Sequence, residues 1–198
     1  MSDSKDNNLL ITNVRLSYAF LYSPYKGEDG SESYCTHLIF ERNHPQLPAI
    51  NQAIRRAAAT VWKDQAEVQL KALKAQQRLC VKEGDVAKPG IEAYAGKLFM
   101  SSSSKVRPRI VATISGINQE VDQDHEFAPY SGCIANVMVN VWAQSNKYGK
   151  RINAQLMGVQ FVRHEERLSG GGRVASVNEF AIIASDADSA EPAGEGLL

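Results

Sequence analysis

An aromatic side chain and a group of cations follow one another in segment 136–151, NVMVNVWAQSNKYGKR. Val137, Val139 and Val141 alternate with other residues, so an extended strand would bury the valines and expose the opposite face. That exposed face carries Trp142. The turn after it adds Lys147, Tyr148, Lys150 and Arg151. Exposed rings stack on nucleic-acid bases and cations neutralise phosphates, so the segment predicts contact with a single strand of nucleic acid.

Two other segments pair a ring with cations. In segment 96–104, alternation places Lys97 and Phe99 on one face, and three more cations extend the row: Lys105, Arg107 and Arg109. After the first predicted strand come Tyr25 and Lys26. Each ring has a structural alternative, because Trp142 could cap the core, Phe99 could lie in a second packed layer and Tyr25 could pack its loop. Because three such pairs coincide, we expect Trp142 and Phe99 to stack on bases.

The charge is unevenly distributed along the chain. The 22 basic and 22 acidic residues cancel, but residues 181–198 hold four of the acids and no Lys or Arg: Asp186, Asp188, Glu191 and Glu195. The preceding 180 residues therefore carry a net charge of +4. A basic body with an acidic tail is typical of proteins that handle nucleic acid, and a charge-balanced surface with a solvated tail is the alternative.

Motifs for catalysis and metal binding are weak. No Walker-type phosphate loop is present, and Cys35 and His37 lack the second pair that a tetrahedral metal site needs. The three cysteines predict reduced thiols in place of a disulfide framework. Asp122, Asp124 and Glu126 cluster in a stretch that otherwise has the composition of a polar loop.

These observations favour a binding protein that is not an enzyme and takes no cofactor. Two alternatives stay open. A metal-dependent nuclease or resolvase would use the acidic cluster, and an adaptor would bind protein through its sheet, with Trp142 as an interface anchor.

The elements that must position these residues are mostly strands. Alternating or β-branched patterns predict strands near residues 9–18, 34–41, 96–104, 109–117, 133–143 and 150–163. In the first, Val14, Leu16 and Tyr18 fall on one side. Between the second and third, residues 48–81 have apolar side chains at helical spacing, which predicts a helical insertion. Strands with one helical insertion fit a small antiparallel barrel or curled sheet, in a mainly β (α+β) chain.

Several blocks resemble a known family. The segments NVRLSYAFL (13–21), YAGKLFMSSSSKVRPRIV (94–111), YSGCIANVMVNVWA (130–143) and GVQFVRHEERLSGGG (158–172), followed by an acidic C-terminus, are similar to bacteriophage single-stranded DNA-binding proteins with an OB fold. The resemblance implies a five-stranded OB-like barrel, sequence-independent binding of single strands, and a role in phage DNA replication or recombination. It also implies that the tail docks phage or host replication proteins and competes with DNA for the basic groove.

The predicted organisation has three parts. Residues 1–8 are expected to be disordered, residues 9–183 to form one DNA-binding domain with the insertion at about 48–81, and residues 184–198 to form a flexible acidic tail. The polar N-terminus and the lack of a long apolar run favour a cytoplasmic protein, which the resemblance would place in an infected bacterial cell. The sequence is also compatible with a homodimer.

Overall fold

Eight strands and three helices make up residues 7–168, the part of the chain that the computed structural model describes. The strands are β1 (Asn8–Lys26), β2 (Glu32–Phe40), β3 (Val81–Glu83), β4 (Leu98–Ser104), β5 (Arg109–Ile114), β6 (Ile117–Glu120), β7 (Ile134–Asn146) and β8 (Gly149–Arg163). The helices are α1 (Leu47–Trp62), α2 (Ala66–Ala75) and α3 (Gly84–Ala87). Short 3₁₀ turns lie at Lys63–Gln65 and Glu92–Tyr94.

Five strands close into a barrel in the order β4–β2–β1–β7–β8, and a contact between Ser103 and Gln155 joins β8 back to β4. The predicted OB-like barrel with a helical insertion after the second strand is confirmed, but the barrel is mixed and not wholly antiparallel. The β4–β8 pair is parallel, whereas the other four pairs are antiparallel. An odd number of strands cannot alternate in direction around a closed ring, so one parallel pair is unavoidable.

The barrel interior is a continuous apolar core. Val137, Val139 and Val141 are fully buried, as their alternation on β7 predicts. Helix α1 begins with Pro48 in its first turn and packs its buried face against β7. Its last residue, Trp62, is buried, and the backbone turns at Lys63 with φ 47°.

The helical insertion is shorter than predicted. It ends at Ala75, and an irregular segment follows that leads into β3 at Val81. There the backbone bridges two strands, because the Ser101 N–H donates to the Cys80 carbonyl at 2.9 Å and the Ile152 N–H donates to the Arg78 carbonyl at 3.2 Å. These tertiary hydrogen bonds take the place of those that a longer helix would make.

A second, small cluster lies on the outer side of the barrel wall. Ile39, Tyr94 and Phe99 pack together, with Leu168 against them. The chain between β3 and β4 forms this cover, and it starts at Gly84, whose N–H donates to the Lys97 carbonyl at 2.8 Å. The cover closes one end of the outer face of β2 and β4 and leaves the other end open.

Candidate nucleic-acid interface

Trp142 lies in an open groove on the outer face of the barrel. Its side chain is 43% exposed, and its β8 partner in register is Asn153. The groove is also lined by Ser33, Ser103 and Lys105. The Lys105 Nζ donates to the Glu32 carbonyl at 2.7 Å, which holds the cation at the end of the β1–β2 hairpin. Two residues predicted from separate segments, Trp142 and Lys105, therefore share one groove.

Strand register extends this surface across the barrel. Side chains of directly opposed residues project to the same side of a sheet. Cys35 on β2 is opposite both Phe20 on β1 and Ser103 on β4, and Ser103 is next to Gln155 on β8. Gln155 is two residues after Asn153, the partner of Trp142, and both line the Trp142 groove. A row of outward side chains therefore runs from this groove across β8, β4 and β2 to β1. We call this row the outer groove.

Aromatic side chains of β1 lie at the far end of the outer groove. Tyr18, Phe20 and Tyr25 are all exposed. The Phe20 and Tyr25 rings are 5.0 Å apart, and the Tyr18 ring is 5.1 Å from that of His37. Lys88 Nζ lies 4.7 Å above the Tyr18 ring. Tyr25 was predicted at this interface, whereas Tyr18 and Phe20 were not.

Alternation predicted that Tyr18 shares a face with Val14 and Leu16, and a bulge in β1 explains why it does not. The β1–β2 register shifts between Ser17 and Phe20, and Tyr18 itself has φ 49°. The side chain is therefore 38% exposed and does not follow Val14 and Leu16 into the core. Strict alternation does not anticipate a bulge. Residues 17–20 also contain no Gly or Pro that would indicate one.

The hairpin between β7 and β8 lies beside the outer groove. Arg151 lines a cavity that shares Ser103 and Asn153 with the Trp142 groove. Tyr148, at the hairpin tip, is exposed, and Lys147 Nζ is 5.1 Å from its ring centroid. The Arg78 Nη2 donates to the Tyr148 carbonyl at 3.2 Å and anchors the tip. Lys150 is exposed at the start of β8, and Lys26 at the end of β1 is opposite Glu32 in the strand register.

Three predicted cations lie elsewhere or are paired with acids. Lys97 forms an ion pair with Glu41 at 3.1 Å, and Arg109 forms one with Glu120 at 3.0 Å. Lys97 does not line the Trp142 groove, and it lies with Tyr18 and Phe20 around a cavity at the β1 end of the outer groove. Arg107 lies 5.4 Å from the ring centroid of Tyr22, outside the Trp142 groove.

The predicted exposure of Phe99 is wrong. The side chain is 1% exposed, and its ring centroid lies 4.8 Å from that of His37 and 5.0 Å from that of Tyr94. Phe99 does project from the outer face of β4, as alternation indicates, but the chain between β3 and β4 covers it. A ring enclosed in this way has no free face for a base, so Phe99 belongs to the packing of that cover.

The acidic loop shows no metal site. Within residues 7–168, no three His, Cys, Asp or Glu side chains lie close enough together to hold a metal ion, the cluster of Asp122, Asp124 and Glu126 included. In the same part of the chain no helix has the length and apolar character needed to cross a membrane. The tail acids Asp186, Asp188, Glu191 and Glu195 lie outside the described residues.

Comparison with known proteins identifies the family. A family model described as the single-stranded DNA-binding protein of Enterobacter phage Enc34 matches residues 7–191. The chain belongs to this family. Protein p50 of Acyrthosiphon pisum secondary endosymbiont phage 1 is 31% identical over 174 residues, which are 86% of this chain and 90% of p50.

Solved structures agree with the family assignment. The single-stranded DNA-binding protein from bacteriophage Enc34 in complex with ssDNA is 29% identical, with a TM-score of 0.70 over 83% of this chain and 91% of that one. The bacteriophage T7 single-stranded DNA-binding protein gp2.5 is 12% identical, with a TM-score of 0.55 over 85% of this chain and 97% of that one. The T7 likeness concerns the fold alone. The family consists of non-enzymatic phage single-stranded DNA-binding proteins.

Proposed function

We propose that this chain binds single-stranded DNA without sequence preference along its outer groove, in phage DNA replication or recombination. The observation that carries the proposal is the groove shared by Trp142 and Lys105. A stacking ring and a cation lie side by side there, which is the combination that non-specific single-strand binding uses. Family membership supports the same conclusion.

The outer groove is long enough for more than one stacking contact. Trp142 on β7 and Phe20 on β1 are separated by three intervening strands, β8, β4 and β2. Neighbouring strands lie 4.7–4.9 Å apart, so the four steps of this path around the barrel wall add up to about 19 Å. Because β1 and β7 also pair directly on the other side of the closed barrel, this figure is the length of the path and not the straight distance between the rings. We infer that the bound strand crosses the β-strands and stacks on Trp142 at one end and on Phe20 and Tyr25 at the other.

The floor between these rings suits sequence-independent binding. The outward side chains there are small or polar, among them Ser33, Ser101, Ser103 and Asn153. They present no apolar pocket shaped to one base. Specificity needs fixed donors and acceptors matched to a base edge, whereas stacking and phosphate contacts tolerate every base.

The cations of the outer groove would neutralise phosphates. Lys105 lines it and Arg151 lines the adjoining cavity, and the nearby hairpin and β1 end contribute Lys147, Lys150 and Lys26. None of these five forms an ion pair with a carboxylate within residues 7–168. Counterion release then makes the affinity fall steeply with salt.

The proposal is tested by removing the Trp142 ring. We expect Trp142→Ala to weaken binding of labelled oligo-dT by about 1–3 kcal/mol, measured by fluorescence anisotropy, because one stacking contact is lost. DNA should quench the tryptophan emission of the wild type but not that of the variant, which keeps only Trp62. Trp62 is 8% exposed and serves as the internal baseline.

Val68→Ala is the matched control, since Val68 is an exposed apolar residue on α2. It should leave both the affinity and the quenching unchanged. Equal affinities of Trp142→Ala and the wild type would contradict the stacking role of Trp142.

A further inference from the structure

A cavity of about 240 Å³ opens between β4 and β8. The two strands meet at Ser103 and Gln155, and before that point they diverge. Residues 78–82 fill the gap at the back, bonded to β4 through Cys80 and to β8 through Arg78. The cavity therefore has a backbone floor and opens toward the outer groove, with which it shares Ser103 and Asn153.

Three cations line this cavity, and no carboxylate does. They are Arg78, Lys82 and Arg151. Burial, and then the charges of Arg151 and Lys88, lower the pKa of Lys82, so Lys82 and Arg151 are close enough to repel each other. Like charges gathered at a partly buried position destabilise each other unless an anion is bound between them.

The remaining polar lining includes side chains that can donate hydrogen bonds. Ser101 and Ser103 carry hydroxyls, and Asn153 carries an amide. His37 also faces the cavity, and burial together with Lys88 and Lys82 lowers its pKa to about 4, so its imidazole is neutral at pH 7. Hydroxyl and amide donors next to cations match the two unesterified oxygens of a phosphodiester.

We propose that this cavity binds one phosphodiester group of the DNA strand. The inference rests on the proposed function and specifies where the backbone is held. A phosphate seated here would lie between the base stacked on Trp142 and the bases near Tyr18 and His37. We assign the contacts with the phosphate to Arg78, Lys82 and Arg151. Of these three, only Arg151 was predicted from the sequence.

Arg78 is held in place by contacts with the hairpin between β7 and β8. Its guanidinium donates to the Tyr148 carbonyl, and a Cβ on Gly149 would lie 2.9 Å from its Nη1. The Arg78 side chain thus lies directly over the glycine of the hairpin. This contact links the hairpin to the cavity, so Arg78 is left intact in the test that follows.

The test compares two double variants of the full-length chain that lose the same charge. Lys82→Gln combined with Arg151→Gln removes two positive charges from the lining of the cavity. Arg55→Gln with Lys63→Gln is the matched control, because both residues are exposed on the helical insertion. Each variant is titrated with oligo-dT by Trp142 quenching at a series of NaCl concentrations. Lys82→Arg with Arg151→Lys retains the charges and serves as a second comparison.

We expect the cavity variant to bind at least about tenfold more weakly at low salt, since charge-assisted hydrogen bonds are lost. The slope of log K against log salt should become about 0.7 shallower, the value for one phosphate on a single strand. The quenching at saturation should stay at the wild-type level. The control and the charge-retaining variant should keep the wild-type slope.

A wild-type slope in the cavity variant, or an equal loss of slope in the control, would overturn the phosphate site while leaving DNA binding in place. Absence of any oligo-dT binding by the wild type would overturn the proposed function itself. If the double variant does not fold, Lys82→Gln and Arg151→Gln are measured singly, and each should bind more weakly than the single control variants Arg55→Gln and Lys63→Gln.

Discussion

His37 is surrounded by aromatic rings and cations at the junction of the phosphate cavity and the small outer cluster. Its Nδ1 is hydrogen-bonded to the Tyr94 hydroxyl at 2.8 Å, and its ring contacts Tyr18 and Phe99. Burial is the largest cause that lowers its pKa to about 4, and Lys88 and Lys82 add to it. Protonation in the folded state would place a further positive charge beside these lysines.

The depressed pKa of His37 predicts a loss of stability in mild acid. The unfolded chain binds a proton near pH 6.5, whereas the folded chain binds it near pH 4. The stability contribution is therefore complete above about pH 6.5 and is lost as the pH falls toward 4. Urea unfolding at pH 7, 5.5 and 4.5 should show a smaller decline for His37→Asn than for the wild type. Parallel declines would contradict this origin.

At the residue scale, the exposure of Trp142 was predicted correctly from the sequence and that of Phe99 was not. Both stand on the outward face of a strand, and alternation places both correctly. Trp142 is exposed because no segment among residues 7–168 covers that part of β7, whereas residues 84–97 cover Phe99. Cover by a distant segment is a tertiary property that no local pattern contains.

At the scale of strands and helices, the features that the sequence did not predict are irregular stretches of backbone. Four of the five barrel strands were predicted within three residues at each end, because their alternating apolar side chains fill one interior. The first was predicted to end at Tyr18, whereas β1 continues to Lys26. Two features were missed: the β1 bulge that exposes Tyr18, and the non-helical segment 78–82 that forms the floor of the cavity. Both are stabilised by contacts with residues far along the chain.

Gly84 offers a test of the cover over Phe99. A Cβ at this position would collide with the Tyr94 carbonyl, which belongs to the backbone of the cover. Gly84→Ala should lower the free energy of unfolding by about 1–3 kcal/mol, the usual cost of overpacking. It should also speed amide hydrogen exchange in residues 84–97.

Gly27→Ala is the comparison for Gly84→Ala. Its Cβ would come within 3.0 Å only of a side-chain oxygen of Asp29, in the exposed β1–β2 loop. Its chemical denaturation midpoint should stay close to the wild-type value. The same small effect in Gly84→Ala would show that the cover tolerates a methyl group there.

At the scale of the whole molecule, closure of the barrel brings distant residues together. The β4–β8 contact places Ser103 beside Gln155 and so joins the Trp142 groove to the face that carries the β1 aromatics. The sequence predicted a barrel and the family but could not specify which strands close it. The closure decides which of the predicted cations share the groove with Trp142.

Charge at this scale predicts an effect of the C-terminal tail. Removing residues 185–198 deletes four acids from a chain whose first 180 residues carry a net charge of +4. We expect tighter binding of oligo-dT at low salt, and a difference that shrinks as the Debye length falls to about 10 Å at 0.1 M. A full-length variant with amides at Asp186, Asp188, Glu191 and Glu195 should behave like the truncation. Unchanged affinity at low salt would contradict competition by the tail.

A cavity that holds a single phosphate also defines how the protein would travel along a strand. Phosphates repeat once per nucleotide, so release from Arg78, Lys82 and Arg151 is followed by capture of the next group in the chain. Translocation would then proceed in steps of one nucleotide. The activation barrier of each step would be set by the same cations that hold the phosphate, so salt would speed diffusion along DNA while it weakens binding.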